Sequence, residues 1–509
     1  MQPDKWRSAY RIALANAAIF LILALSLAAI KPASLVLILS VPALFLLGSL
    51  LSFLLMVRSG GALAAIAWFV LGSGIFFGMG VIAGGLHVHP HSDYLFAGDT
   101  RYLIQVNLLN ACSVLIVLVA AYPLVNMRGQ LAVTHDTSPV VAIERTLIKV
   151  FPYIAAMSAV AVGLKYALFP MAEGLVLRSV AAKLYLIIPA CFLLLGLLWR
   201  SSGWSLRLVA SGVFVLDILN GLIGFNKYQI VMAMLALAIG IWLARRTIKI
   251  VVSTSLVMAF VFVAINQAVF LGRAHTGYDP ARNSVLDRLS ILADVGKAIV
   301  DTDTKYRTVA GSRVVEINLK EMSSGTERLR ALGMRFDVAS IQGFLINEYD
   351  SGRPGNSFVD YRAVFIPRVL WPEKPIISRF GTELNAKYFF VPGEAIQNTS
   401  SIAPTYSAES YWNHGYSGVI IVSSLLGIAI GWLTRCWQHA TAGKDYAFLL
   451  IAFPVVLWAG YVESWVVATY LGEFVIFVAL LFLMRAGIAL PGLLRHGAPL
   501  SGLFSAKRF

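Results

Sequence analysis

The sequence predicts an all-α polytopic membrane protein of about 12 transmembrane helices, with a large, mainly helical extracytosolic loop between helices 9 and 10. Three observations carry that expectation: a composition water cannot cover, apolar runs of membrane-crossing length, and Lys and Arg gathered on one side of those runs. Of the 509 residues, 58% are hydrophobic and 13% charged, with a mean hydropathy of +0.76. A soluble chain keeps about a quarter of its residues charged, so most of this surface must face lipid. Three cysteines in the whole chain exclude a disulfide scaffold.

Crossing ~30 Å of hydrocarbon takes about 20 apolar residues. Such runs lie at 11–30, 34–56, 62–84, 103–126, 150–168, 180–199, 208–224, 229–244, 250–271, 416–434, 446–462 and 464–484. The first is too long for a secretory h-region and has no clear small-residue cleavage site, so it is read as an anchor. Placing the N-terminus in the cytosol puts 18 of the 41 Lys and Arg on the cytosolic side, against six at or near the short outer connections. The positive-inside rule therefore places both termini in the cytosol. The formal charge of +15 is a topology signal on this reading, and no nucleic acid partner is expected.

The other 17 Lys and Arg fall within 272–415, with 16 of the 26 acids. A loop of that length is exempt from the charge rule, and it is too long for a passive connection. Residues 1–271 thus hold helices 1–9, 272–415 the outer (periplasmic) loop region, 416–486 helices 10–12, and 487–509 a cytosolic tail. Within the loop, Val285, Leu289, Leu292, Val295 and Ile299 step by three and four, and so do Leu329, Leu332, Phe336, Ala339 and Gly343 across 326–346. Both read as amphipathic helices packed over the bundle. No repeat of 20 to 50 residues is visible.

Residues able to carry chemistry concentrate in 362–415. In Phe365-Ile366-Pro367-Arg368-Val369-Leu370-Trp371-Pro372-Glu373-Lys374-Pro375, three prolines prevent a regular helix and fix the directions of Arg368 and Lys374. Two fixed cations beside a membrane suit a phosphate or diphosphate; the alternative is an interfacial anchor with Trp371 at headgroup level. Downstream runs Thr405-Tyr406-Ser407-Ala408-Glu409-Ser410-Tyr411-Trp412-Asn413-His414-Gly415-Tyr416-Ser417-Gly418. If 405–413 is a helical turn entering the membrane, Glu409 sits at the lip of the bundle, partly desolvated and suited to accept a proton; otherwise it is a cap or an arginine's partner. Lys227 lies at the outer end of helices 7 and 8, where the charge rule disfavours it. Arg328 and Arg335, seven residues apart, share a helix face able to clamp one anion, or pair with Glu327 and Asp337 in solvent.

Asp217, Glu463 and Glu473 fall within or at the ends of spans, where an ionisable group faces a cavity or a partner. His87, His89 and His91, with Asp93 and Asp99, look metal-like but would share a face only on a strand. The chain lacks HExxH, paired CxxC, a P-loop and a Rossmann glycine turn, so no cofactor is expected and ATP-driven or redox chemistry has no visible seat.

At these residues the sequence resembles the Wzy-type polymerases, integral membrane enzymes that join lipid-linked oligosaccharide repeat units in O-antigen and exopolysaccharide assembly. The resemblance rests on Ile366-Pro367-Arg368 through Trp371-Pro372 and Lys374-Pro375, on Glu409-Ser410-Tyr411 through Asn413-His414-Gly415 and Gly418, on Arg335-Phe336, and on the basic turn at Lys227. Lys227 stands where related sequences often have Arg, and His414 where many have Phe. The resemblance implies a multi-pass protein of the bacterial inner membrane and an inverting, metal-independent glycosyl transfer on the outer leaflet. Donor and acceptor would be polyprenyl-diphosphate-linked saccharides, with membrane lipids, a chain-length regulator and a flippase as further partners. It assigns Glu409 as the base, Lys227, Arg335 and Arg368 to the diphosphate, and Arg328, Lys374 and His414 as helpers. An O-antigen ligase would use the same donor with a lipid A core acceptor. A flippase or transporter usually shows paired repeats and interrupted helices near mid-membrane, and a purely structural component would not need so many cations in one outer segment.

Overall fold

The computed structural model describes residues 3–30, 33–59, 61, 64–86, 100–126, 138–168, 187–224, 226–245, 249, 253, 256–257, 285–300, 305–310, 313–318, 337–359, 361–366, 370–371, 373, 380–381, 383–384, 403–441, 456, 458–464, 466–472, 474–475, 477–479 and 481–482. Apolar runs too long for a strand become helices because, without water, a backbone must satisfy its own polar groups. Residues Pro3–Ala29 form α1 and Leu35–Arg58 form α2. Next, α3 (Ala65–Ser73) passes through a π-helical turn (Gly74–Met79) into α4 (Gly80–Gly85). They are followed by α5 (Arg101–Asn126), α6 (Ser138–Leu168), α7 (Ile188–Leu197), α8 (Trp204–Ile223) and α9 (Lys227–Arg245). These overlie the first eight apolar runs. Among the described residues seven helices are long and apolar enough to cross a membrane, with two shorter apolar helices beside them. The chain is a helical membrane protein.

The start of α1 shows why the expected boundary at residue 11 is late. Trp6 and Tyr10 precede it but are buried, Trp6 against Trp437 with ring centroids 5.7 Å apart, and Tyr10 donating to the Leu118 carbonyl at 2.5 Å. The run at 250–271 lies outside the described residues except for isolated positions, as does most of 446–462; 464–484 is described in part, including a second π-helix at Val466–Leu471.

Within lipid, helices attract mainly by close packing, which favours small residues where backbones cross. Gly196 of α7 and Gly240 of α9 do this reciprocally: a methyl group on Gly196 would lie 2.4 Å from the Leu237 carbonyl oxygen, and one on Gly240 2.2 Å from that of Leu193. A second seam joins α5 to α13 (Tyr406–Thr441), where Gly427 and Gly431 meet the backbone at Val117 and Ala121. Ile420, Ile421, Leu425 and Ile428 of α13 are exposed; in a bilayer they face lipid.

Segment 272–415 adds one small hairpin to the otherwise helical described residues. Residues Val285–Val300 form helix α10 as expected, but then Lys305–Ala310 (β1) and Arg313–Asn318 (β2) make an antiparallel hairpin, in register from Lys305 opposite Asn318 to Ala310 opposite Arg313. The cause is local: both pieces are rich in β-branched residues, and Gly311-Ser312 separates them by a hairpin-turn dipeptide. The buried stripe of α10 also differs from the expected one. Ile291 and Val295 are covered, while Leu289 is 43% exposed. Helix α11 (Val338–Asp350) opens at Asp337, whose carboxylate caps it by accepting from the Ser340 N–H at 3.1 Å and the Ser340 hydroxyl at 2.6 Å. The first half of the helix expected at 326–346 lies outside the described residues. A short helix, α12, spans Arg362–Phe365.

Candidate functional site

Helix α13 is two helices joined at a break. His414 (φ −144°, ψ 20°) and Gly415 (φ 60°, ψ −151°) leave helical geometry, and the Gly415 conformation is one that essentially only glycine adopts. The expected start of a membrane span at 416 falls at this break. The piece before it, 406–413, is helical, as expected of 405–413, and it carries Glu409.

Glu409 is not at a partly solvated lip; it is 0% exposed. One oxygen, Oε1, accepts from the Ser357 hydroxyl at 2.6 Å, and Oε2 accepts from the Val466 backbone N–H at 2.6 Å. Val466 is the first residue of the second π-helix, so its N–H is one of the orphan donors of a helix start, where a carboxylate is electrostatically favoured. Asn413 holds the arrangement by donating to Ser357 Oγ and to the Glu409 carbonyl, both at 2.8 Å. Glu409 therefore ties three distant pieces of chain together, and neither of its side-chain partners is an arginine. It retains lone pairs on both oxygens, so the same carboxylate has capacity to accept a proton.

Ser357 reaches Glu409 from a strap, 351–359, that crosses the short helix. The Gly355 N–H donates to the Trp412 carbonyl at 2.8 Å, and Trp412 Nε1 donates to the Arg353 carbonyl at 3.2 Å. A side chain at 355 would strike the Trp412 ring, 2.5 Å from its Cβ position. Arg353 is fastened in turn to Glu348, 2.6 Å from Nη2 to Oε1, with the arginine side chain 58% exposed. This is a surface pair of small energetic weight, but it fixes where the strap leaves α11.

Beneath the short helix lies a buried polar layer. The amides of Asn110 (α5) and Gln342 (α11) exchange hydrogen bonds, 2.7 Å from Gln342 Nε2 to Asn110 Oδ1 and 3.1 Å in return. Gln342 Nε2 also donates to Thr405 Oγ1 at 2.8 Å, and the Tyr406 hydroxyl donates to Ser113 Oγ at 3.2 Å. Networks of satisfied buried polar groups fix one arrangement of the elements that contribute to them. Here they key α5, α11 and the start of α13 to each other.

The expected site residues separate into groups. Glu409 is placed and held. His414 lies at the break, exposed, its ring 5.8 Å from that of Phe358, with no bond to Glu409. Lys227 opens α9, but its side chain lies outside the described residues, as do Arg328, Arg335, Arg368 and Lys374 in full. Asp217 is 4% exposed and accepts from Gln229 Nε2 at 2.5 Å, joining α8 to α9; this matches a bundle-locking role. The His87, His89, His91, Asp93 and Asp99 constellation is outside the described residues, and among those described no group of three His, Cys, Asp or Glu could hold a metal.

Sequence reasoning passed over Ser357, Gln342 and Asn110. A signal existed for the last: Asn107, Asn110 and Ser113 repeat every three residues through an otherwise apolar run, a polar stripe that must be buried against a partner. Ser357 carried none, since its meaning arises only when the strap crosses the helix. No family model matches the chain, and no curated protein or solved structure matches it.

Proposed function

We propose that the chain is an oligosaccharide repeat-unit polymerase of the bacterial inner membrane, a metal-independent, inverting glycosyltransferase acting on polyprenyl-diphosphate-linked saccharides in O-antigen or exopolysaccharide assembly. The reading includes twelve spans with both termini cytosolic, so that 272–415 lies on the outer face. The observation that carries it is the buried, hydrogen-bonded carboxylate of Glu409, positioned immediately before a backbone break at the head of a membrane helix.

In the proposed step, an acceptor hydroxyl oxygen attacks the anomeric carbon of the donor saccharide while the bond from that carbon to the diphosphate oxygen breaks. The hydroxyl proton passes to Glu409 and the electron pair leaves with the diphosphate. Developing negative charge on the leaving group is stabilised by cations placed in advance; Lys227, Arg335 and Arg368 take that role, assisted by Arg328, Lys374 and His414. Ser357 supports the assignment of the base: its hydroxyl occupies on Oε1 the place an acceptor hydroxyl would take. Exchange requires the strap to lift. Two neutral hydrogen bonds fasten it to Trp412, each worth about 0.5–1.5 kcal/mol net, a cost that binding of a saccharide can offset.

The test is elongation by the purified chain in nanodiscs, supplied with an undecaprenyl-diphosphate-linked repeat unit and no lipid A core acceptor. A ladder of lipid-linked products is expected. A chain that forms no ladder yet transfers the glycan once a core acceptor is added is a ligase, and the polymerase reading is then wrong.

A further inference from the structure

The break at Gly415 has an effect on the side of the short helix away from Glu409. Residues five apart in a continuous α-helix lie about 140° from each other around its axis, so Tyr411 and Tyr416 would point apart. With the break they meet edge to face, centroids 5.1 Å apart and planes at 87°. Tyr349 of α11 packs on Tyr411 in the same way, at 5.1 Å and 62°. Gly415 runs so close beneath Tyr349 that a side-chain carbon there would lie 2.8 Å from the phenol oxygen. Tyr411 is oriented at its far end, where the hydroxyl donates to Asp350 Oδ1 at 2.9 Å. The three rings are therefore held by one another, by the glycine and by a carboxylate. They are not buried: Tyr416 is 42% exposed, Tyr349 and Tyr411 are partly exposed, and Asp350 is exposed.

We propose that Tyr349, Tyr411 and Tyr416, with the Asp350 carboxylate, form a binding platform for a pyranose ring of the lipid-linked saccharide. The chemistry of a sugar matches this surface on both counts. Its axial C–H face is apolar and stacks on an aromatic ring, and its equatorial hydroxyls need a nearby acceptor, which Asp350 offers beside its bond to Tyr411. Aromatic area with a few placed polar groups is the general make-up of a small-molecule site. Tyr416 heads the exposed face that continues through Ile420, so an aromatic belt at headgroup level is the competing account of one ring. A belt, however, needs neither three interlocked rings nor a glycine-only backbone to bring two of them together, and Tyr349 stands on α11, which is not among the described helices long and apolar enough to cross a membrane. On the opposite side of the short helix from Glu409, the platform would hold a sugar removed from the reacting one, which suits a repeat unit of several residues. The assignment rests on the proposed polymerase function for the source of the saccharide.

The experiment uses the full chain in nanodiscs on an array of oligosaccharides built from hexoses, N-acetylhexosamines and deoxyhexoses, alongside the elongation assay. Wild-type chain is expected to bind at least one glycan class, Tyr411→Ala and Tyr416→Ala to weaken that binding at least tenfold, and Tyr411→Phe to weaken it less than Tyr411→Ala. Wild type held by no glycan, or alanine variants that bind as wild type does, overturns the platform. So does a variant whose only change is shallower insertion in phosphatidylglycerol vesicles, the outcome of a headgroup belt. Glycan binding lost in the variants while wild type forms no ladder removes the polymerase reading but leaves the platform. A ladder unaffected by the alanine substitutions does the reverse.

Discussion

Replacing Glu409 by Gln separates chemistry from architecture, because the geometry around the carboxylate admits an amide. With the Gln oxygen turned to the Val466 N–H, the 2.6 Å contact to the backbone survives. The amide nitrogen then faces Ser357 Oγ, which already accepts from Asn413 but has a second lone pair for the new donor. The fold loses the difference between two charge-assisted and two neutral hydrogen bonds, about 1–3 kcal/mol in all, and is relieved of burying a charge. Loss of a general base costs on the order of 10²–10⁴ in rate, equivalent to about 3–5 kcal/mol of barrier. The expected result is thus a variant with near-normal melting in nanodiscs, retained binding of the lipid-linked donor and elongation reduced at least a hundredfold. Alanine is the wrong substitution here: it strands the Ser357 hydroxyl and the Val466 N–H at about 1–3 kcal/mol each and opens a cavity. Polymer of full length from folded Glu409→Gln protein would leave the residue as a clamp and nothing more.

Other perturbations test separate links of the argument. Gly415→Ala forces a methyl group onto a glycine-only conformation and against Tyr349; it should destabilise the chain by about 1–3 kcal/mol, read as a lower Tm in nanodiscs, and an unchanged Tm would mean that the break is not under this constraint. Gly240→Leu places a side chain where the Leu193 carbonyl oxygen lies 2.2 Å from the Cβ position, so α7 and α9 must separate; the yield of monodisperse protein in detergent should fall sharply, and normal behaviour would contradict the seam. Gln229→Leu removes a donor to buried Asp217 and should cost about 1–3 kcal/mol, whereas Asp217→Asn keeps an acceptor and should cost less; the reverse order in thermal unfolding would count against the locking role. Arg368→Ala should weaken capture of an undecaprenyl diphosphate, measured by equilibrium binding, with no change in Tm.

What the chain disclosed before folding follows from how far each signal reaches along it. Spans were legible because lipid imposes one requirement on twenty neighbouring residues at once, and the break at 415 falls where the polar cluster from Thr405 to His414 ends. The burial of Glu409 was not. A carboxylate beside Ser, Tyr and Asn looks solvated from its neighbours, and what covers it comes from Ser357 and Val466, 52 and 57 residues away. The hairpin at 305–318 carries its own signal in β-branched residues and the Gly311-Ser312 dipeptide, but two six-residue strands are a weak pattern in a chain dominated by long apolar helices. The same reasoning orders the proposed roles. Arg368 and Lys374 stand among three prolines, a pattern that is recognisable from spacing because it lies within one short run of sequence. A carboxylate buried under a strap is recognisable only once the strap is seen, because its environment is assembled from pieces of chain that share no pattern. The Tyr411–Tyr416 pair falls between these cases: the residues are near neighbours in sequence, yet helix periodicity alone would set them apart, and Gly415 is the residue that reverses the conclusion.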